Sequence, residues 1–218
     1  MSKSVSSVDS LAGSLIVLGL FLVGLGGGFI PWIWRDAVAL QLTAPGLAEY
    51  IKFLAEVRNG IIQVERLYFL YPLFGAMLLL PLFAENRQLN LPRWLRWSLR
   101  LAVFPLALTS LSPVWAPDVL LTSEFRLQTM LAITAIGLTV IAPLLRQIPL
   151  LILVGVLFVV MPISLYLSMQ TFWLVHTPLE YTYHEAIVLG AGWWVSLTGG
   201  IMSMIGGGWA MVSRYLGR

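Results

Sequence analysis

Cysteine is absent from this 218-residue chain, and the side chains that keep proteins in water are scarce, with Asp, Glu, Lys and Arg together making up 11% of it. Without cysteine there is neither a disulfide scaffold nor a thiol nucleophile. Soluble domains carry about 25% charged residues. The deficit, with 59% hydrophobic residues and a mean hydropathy of +0.88, excludes an ordinary soluble domain, and it excludes disorder and collagen-like repeats as well. No Walker loop, G-x-S-x-G elbow, kinase motif set or dinucleotide fingerprint occurs. The net charge of +3 and pI near 9.4 do not by themselves point to nucleic acid, because in so apolar a chain the side on which charges fall outweighs their total. No nucleic-acid partner is expected.

What is present is a series of apolar runs. A helix needs ~20 mostly apolar residues to cross ~30 Å of hydrocarbon. Six stretches qualify or nearly so: Leu11 to Ile30, Leu67 to Phe83, Leu99 to Val114, Thr129 to Leu145, Ile148 to Leu167 and Ala186 to Val212. Pro105 and Pro113 make the third the weakest, and a five-span chain competes. The first run exceeds the ~7–15 residue core of a secretory signal and no A-x-A-like site follows it, so a retained helix is expected. The expected fold is all-α, a polytopic bundle of about six transmembrane helices forming one integral membrane domain over residues 1–218.

With the N-terminus inside, Lys3, Arg87, Arg93, Arg96, Arg100, Arg146, Arg214 and Arg218 lie on the inner side, against Arg35, Lys52, Arg58, Arg66 and Arg126 outside. That bias places the chain in the cell membrane with both termini cytoplasmic. The helices then form three hairpins whose long connections lie outside. The inner connection around Arg146 and Gln147 is so short that spans four and five are expected as antiparallel neighbours. Pro31, Trp32, Asp36, Glu65 and Arg66 in the first hairpin are faintly echoed by Pro113, Trp115, Asp118, Glu124 and Arg126 in the second. Interfacial composition is the preferred account of this over duplication.

The first outer connection is patterned. After Thr43, a candidate N-cap, and Pro45, a first-turn proline, Leu47, Tyr50, Ile51, Leu54, Val57 and Ile61 recur at helical spacing. Glu49, Lys52, Glu56 and Asn59 recur on the opposite face, with Glu49–Lys52 and Lys52–Glu56 spaced for ion pairs, and Asn59–Gly60 supplies a stop. An outer amphipathic interfacial helix is predicted, with Trp32 and Trp34 as interfacial anchors before it. On the inner side Arg93, Trp94, Arg96, Trp97 and Arg100 form a basic and aromatic segment suited to anionic lipid headgroups.

Candidate chemistry is confined to the rims, because the spans carry no ionisable residue in their middle thirds, which argues against a proton relay or charged filter. His176, Glu180 and His184 are spaced by four, as metal ligands on one helix face would be. Thr177, Pro178 and Glu180 also read as a T-x-x-E capping box that would start a helix there. Capping is the preferred reading, and no metal or other cofactor is expected. On the outer rim Arg35, Asp36, Glu65, Arg66, Asp118, Glu124, Arg126, Glu180, His184 and Glu185 are the binding candidates. Gly192, Gly199 and Gly206 form a stripe of period seven in the last span, a packing surface for an internal neighbour or another subunit.

Three functions remain. The first is a non-enzymatic subunit that binds a membrane partner through its outer loops or glycine stripe. The second is a carrier for a small or lipid-like substrate. The third is a membrane enzyme using His176, His184 and a rim carboxylate, with Glu180 or Glu185 as base and Arg66 or Arg126 on an anion. The absence of catalytic motifs favours the first.

Overall fold

The computed structural model describes residues 7–34 and 41–216, with side-chain surroundings for 11–34 and 41–213. Arg35 and Asp36 lie outside the described residues. Among those described, the chain is helical and without strands, apart from isolated antiparallel bridges of Ile33 with Leu42 and with Leu189. The helices are α1 (Ser7–Gly28), α2 (Ala44–Tyr50), α3 (Ala55–Arg58), α4 (Tyr71–Glu85), α5 (Arg93–Thr109), α6 (Pro117–Leu120), α7 (Arg126–Ile141), α8 (Leu150–Tyr183) and α9 (Ala191–Leu216). A 3₁₀ turn, Arg66–Leu70, leads directly into α4. Among the described residues, four stretches are long and apolar enough to cross a membrane: Leu11–Gly28, Arg66–Glu85, Leu150–Tyr183 and Ala191–Ser213.

The closest helix pair is α1 against α9, and it rests on small residues. In α9, Gly192, Ser196, Gly199, Ser203 and Gly206 recur in steps of four and three, as do Ala12, Ile16, Gly19, Val23 and Gly26 in α1. The two rows meet antiparallel, Gly206 on Ala12 and Ile16, Gly199 on Gly19 and Val23, and Gly192 on Ile30. A Cβ on Gly199 would stand 2.5 Å from the Gly19 carbonyl oxygen, and one on Gly19 would stand 2.6 Å from the Ser203 nitrogen. Ser203 spends its hydroxyl within its own helix, on the Gly200 carbonyl at 2.8 Å, so it packs as a small residue. With no hydrophobic drive between helices in lipid, such close approach supplies the association. The glycine stripe is therefore covered by α1.

α4 is the hub, packing against α1, α5, α7 and α8, with 78% of the Arg66–Glu85 stretch buried. α7 and α8 both pack on α4 but scarcely on each other, contrary to the expected neighbour pair. The connection is longer than the sequence reading allowed, because α7 ends at Ile141 and α8 starts at Leu150. Between them runs an apolar groove of 330 Å³ that includes Leu127, Leu131, Val159 and Ile163, with Phe74 of α4 in its wall.

Other boundaries also differ. The third and fourth predicted spans correspond to helices with shifted bounds, α5 of 17 residues and α7 of 16, both below the ~20 residues of a full span, and α5 begins early enough to include the basic and aromatic segment. The third predicted outer loop is not a loop. α8 continues for 34 residues, about 51 Å at 1.5 Å per residue, which exceeds a ~30 Å hydrocarbon core. Pro178 lies inside it, so Thr177 caps nothing and the capping box is absent. Burial explains the continuation, because Ser168, Thr171, Phe172, Val175, Pro178 and Leu179 keep one helical face packed throughout. The outer amphipathic segment starts at Thr43 as expected, whose hydroxyl accepts from the Gly46 N–H at 3.3 Å, and stops at Asn59 and Gly60, where φ is +73°. It is broken, not continuous: Ile51–Phe53 is 3₁₀ and Leu54 is extended with ψ 133° before α3. Leu47, Ile51 and Leu54 are buried, whereas Ile61 is exposed. Trp34 is exposed as an anchor would be, but Trp32 is fully enclosed, its indole N–H donating to the Gly26 carbonyl at 2.9 Å.

Replacing Gly199 by Val should destabilise the protein by about 1–3 kcal/mol or more, since backbone on the facing helix cannot yield. Gly155→Ala in α8, where a Cβ meets nothing within 4 Å, should be neutral or stabilising. Thermal unfolding in mild detergent compares the two, and equal melting temperatures would refute close packing as the source of the α1–α9 association.

Candidate functional site

The polar cluster at the end of the helices read as outer is built around Arg66. Glu65 caps the 3₁₀ turn, its carboxylate accepting from the Leu67 N–H at 3.2 Å, and this fixes the next residue with its side chain pointing inward, only 9% exposed. Arg66 Nη1 donates to Glu49 Oε1 at 2.9 Å and to Gln128 Oε1 at 3.1 Å, while Nη2 donates to the Glu124 carbonyl at 2.5 Å. Nε faces Glu124 Oε1 at 3.6 Å, and the guanidinium lies 4.5 Å from the centre of the Phe125 ring. Gln128 carries the chain of bonds onward by donating to the Ser110 carbonyl just past α5. One guanidinium thus ties α2, the start of α4 and the start of α7, and through Gln128 it reaches the end of α5.

Lys52 completes the cluster at the surface. Its ammonium is 2.6 Å from Glu49 Oε2, the i,i+3 pair expected from spacing, and 2.7 Å from Glu124 Oε1 rather than paired with Glu56. Burial acts to lower its pKa, but Glu124 and Glu49 outweigh that and hold it above the ordinary value. A raised ammonium pKa stabilises the fold below the unfolded value of ~10.4 and loses that contribution as pH climbs past it. At a third exposed, the pair is worth under ~1 kcal/mol.

Of the predicted rim residues, the structure brings Arg66 and Glu124 together and sets Glu65 beside them as a cap. Asp118 and Arg126 are exposed. Glu180 belongs to a different set of contacts: Glu180 Oε1 accepts from the Ile187 N–H at 3.0 Å, and His176 Nε2 lies 2.8 Å from the Ile187 carbonyl and 3.6 Å from Glu180 Oε1. Both backbone polar groups of Ile187 are held by side chains one turn apart on α8, which pins the returning chain. His184 ends α8 in a left-handed conformation, φ +54°, exposed beside Tyr181, and Glu185 is exposed too. Among the described residues no three His, Asp or Glu side chains are grouped to hold a metal ion.

The residues that sequence reasoning missed are Glu49 and Lys52, read there as a solvated face, together with Phe125 and Gln128. The available signal was Gln128 itself, a neutral polar residue one turn inside an apolar helix. Glu49 and Gln128 also line a 300 Å³ cleft with Pro45, Thr109, Ser112, Pro113 and Trp115. Both Glu49 oxygens are already engaged by Arg66 and Lys52, so the cleft presents no free carboxylate.

At the opposite end of α4, Glu85 is 6% exposed and accepts from Arg96 Nη1 and Arg100 Nη1, each at 3.3 Å. Arg100 Nε donates to the Thr139 carbonyl at 2.9 Å, and its guanidinium lies 4.5 Å from the Trp97 ring centre. Within the predicted headgroup segment, then, Arg100 turns inward and Arg96 partly so, while Arg93, Trp94 and Trp97 face outward.

The chain matches no protein-family model, and neither curated proteins nor solved structures show significant similarity to it.

Arg66→Ala should cost about 3–5 kcal/mol, because Glu49 and Gln128 lose their donor inside the fold. Arg66→Lys should recover little, since a single ammonium cannot bridge three elements. Lys52→Ala should cost less than ~1 kcal/mol. Denaturant unfolding in detergent separates these cases, and an Arg66→Ala protein as stable as wild type would contradict the cross-link.

Proposed function

We propose that the protein is a multi-pass subunit of the cell membrane, with six spans as three hairpins and both termini cytoplasmic, that binds a membrane protein partner through its outer cap without catalysing a reaction. The four long apolar helices support the membrane assignment. α5 and α7 run between the same two polar ends as the Arg66–Glu85 stretch, with Gln128 and Ser110 at one and Arg100 and Thr139 at the other, which favours counting them as spans. The Lys and Arg bias along the sequence sets the orientation.

One observation carries the partner-binding reading. The charged groups of the Arg66 cluster are spent on one another, while large apolar side chains stay exposed around them: Phe53 at 75%, Ile61 at 74%, Leu121 at 67% and Trp115 at 61%. The Lys52–Glu124 pair sets the segment of Phe53 beside that of Leu121, so these side chains belong to neighbouring parts of one surface. Aromatic and aliphatic anchors on a rigid base are what a protein interface uses. A carrier or enzyme would instead need an unspent polar group facing a cavity.

The test is purification in mild detergent followed by mass spectrometry. A stoichiometric partner should accompany the wild type and be lost from the Phe53→Asp, Ile61→Asp double variant, whose melting temperature should hardly move because both sites are exposed. A wild-type chain that is alone, monodisperse and active by itself would sink the proposal.

A further inference from the structure

The wedge between α1 and α5 is a second feature, independent of the outer cap. The two helices touch at their outer ends, where a Cβ on Gly24 would stand 2.7 Å from Leu106 Cδ1 and one on Gly28 would stand 3.0 Å from Thr109 Oγ1. Towards the other end they part, leaving a groove of 410 Å³ between Val17, Leu18 and Phe21 on α1 and Leu95, Leu99 and Ala102 on α5. Its volume falls in the ~300–1,000 Å³ range of small-ligand sites. The wall is almost purely apolar. Ser14 and Ser98 also line it, and Ser98 spends its hydroxyl on the Trp94 carbonyl at 3.0 Å. So apolar a wall suits an alkyl chain better than a polar solute.

The mouth has the opposite character. Leu95 opens the groove from the first turn of α5, the turn that also carries Arg93, Trp94 and Arg96. Arg93 is exposed and makes no ion pair. Arg96 is engaged by Glu85 through Nη1 alone, and its buried Nε has no hydrogen-bond partner. Of the described side chains at this end, Arg87, Arg93, Arg96, Arg100 and Arg146 are basic and Glu85 is acidic, and Glu85 is paired with Arg96 and Arg100. The local charge is strongly positive, and Trp94 stands 69% exposed beside it, as interfacial indoles do. An apolar slot with a cationic, aromatic mouth matches a molecule with an alkyl chain and an anionic head.

We propose that the α1–α5 groove is a binding site for an anionic phospholipid, one acyl chain lying along Val17, Phe21, Leu99 and Ala102 and the phosphate-bearing headgroup held by Arg93 and Arg96. The proposal rests on the membrane assignment and not on the partner-binding reading. Loss of the outer partner would leave it intact.

Native mass spectrometry of the detergent-purified protein tests it, with added phosphatidylglycerol or phosphatidylcholine carrying the same sixteen-carbon chains. Phosphatidylglycerol should be retained and phosphatidylcholine largely lost. Arg93→Ala should weaken retention about fivefold, the worth of one basic residue at an anionic surface. Ala102→Phe should abolish it by filling the slot, and Leu18→Trp, at a half-exposed wall position, serves if that variant fails to fold. Val159→Trp in the α7–α8 groove should leave retention unchanged. Glycerol phosphate without chains should not compete. Equal retention of the two lipids, wild-type binding by Ala102→Phe or Leu18→Trp, loss with Val159→Trp, or competition by glycerol phosphate would each overturn the assignment.

Discussion

A guanidinium that is 9% exposed in so apolar a protein must find its counter-charges inside the protein, and Arg66 imposes that condition on the whole outer end. An uncompensated buried charge costs several kcal/mol, so the elements supplying Glu49, Gln128 and the Glu124 carbonyl are constrained to arrive together. α2 cannot drift along the surface as a free interfacial helix would. Its carboxylate is committed to Arg66 on one oxygen and to Lys52 on the other. The break at Leu54 follows from the same condition: a straight amphipathic helix would follow its own periodicity, whereas this segment turns so that Leu47, Ile51 and Leu54 stay buried while Lys52 reaches Glu124. The cap is therefore fixed to the helices below it by electrostatics as much as by apolar packing.

The helices below are organised by where their small residues fall. Close packing of α1 on α9 uses one face of α1 at steps of four and three, and Gly24, Gly27 and Gly28 place α4 and α5 on another. Because the glycines that meet α5 lie only at the outer end of α1, the bulkier Val17, Leu18 and Phe21 keep the helices apart further along. The groove is thus a direct result of residue size along one helix, not of a loop or a hinge. A second groove between α7 and α8 arises differently, from the spacing of two helices that share α4 as their support.

Local features were legible in the sequence, and long-range ones were not. The Thr43 cap, the Asn59–Gly60 stop and the Glu49–Lys52 pair are set by neighbours within a few residues, and they stand where spacing placed them. The partner of Arg66 at Gln128 is 62 residues away, and no periodicity connects them. The loop expected after Leu167 does not form, although Thr177, Pro178 and Glu180 have the pattern of a new helix start. In α8 a continuously packed face, including Phe172, Val175, Pro178 and Leu179, outweighs the missing N–H. Trp32 has the residue type of an interface, but it is enclosed, and the Gly26 carbonyl takes the indole N–H. The rim candidates were the right kind of residue at the right end, yet only tertiary geometry distinguishes Arg66, which is enclosed, from its sequence echo Arg126, which is exposed.

The two polar ends also differ in how complete they are. At the outer end Glu49 and Glu124 stand against Arg66 and Lys52, so charge is balanced within the cluster and few polar groups are left to act on anything else. At the other end Glu85 is shared by Arg96 and Arg100, and no second carboxylate among the described side chains joins them. Glu85 offsets part of the mutual repulsion of those arginines, and the excess positive charge left at that end is of the kind that an anionic membrane surface would neutralise. The closed cluster under an apolar surface is what supports the proposed protein neighbour at one end, and the cationic excess beside an apolar groove is what supports the proposed lipid at the other.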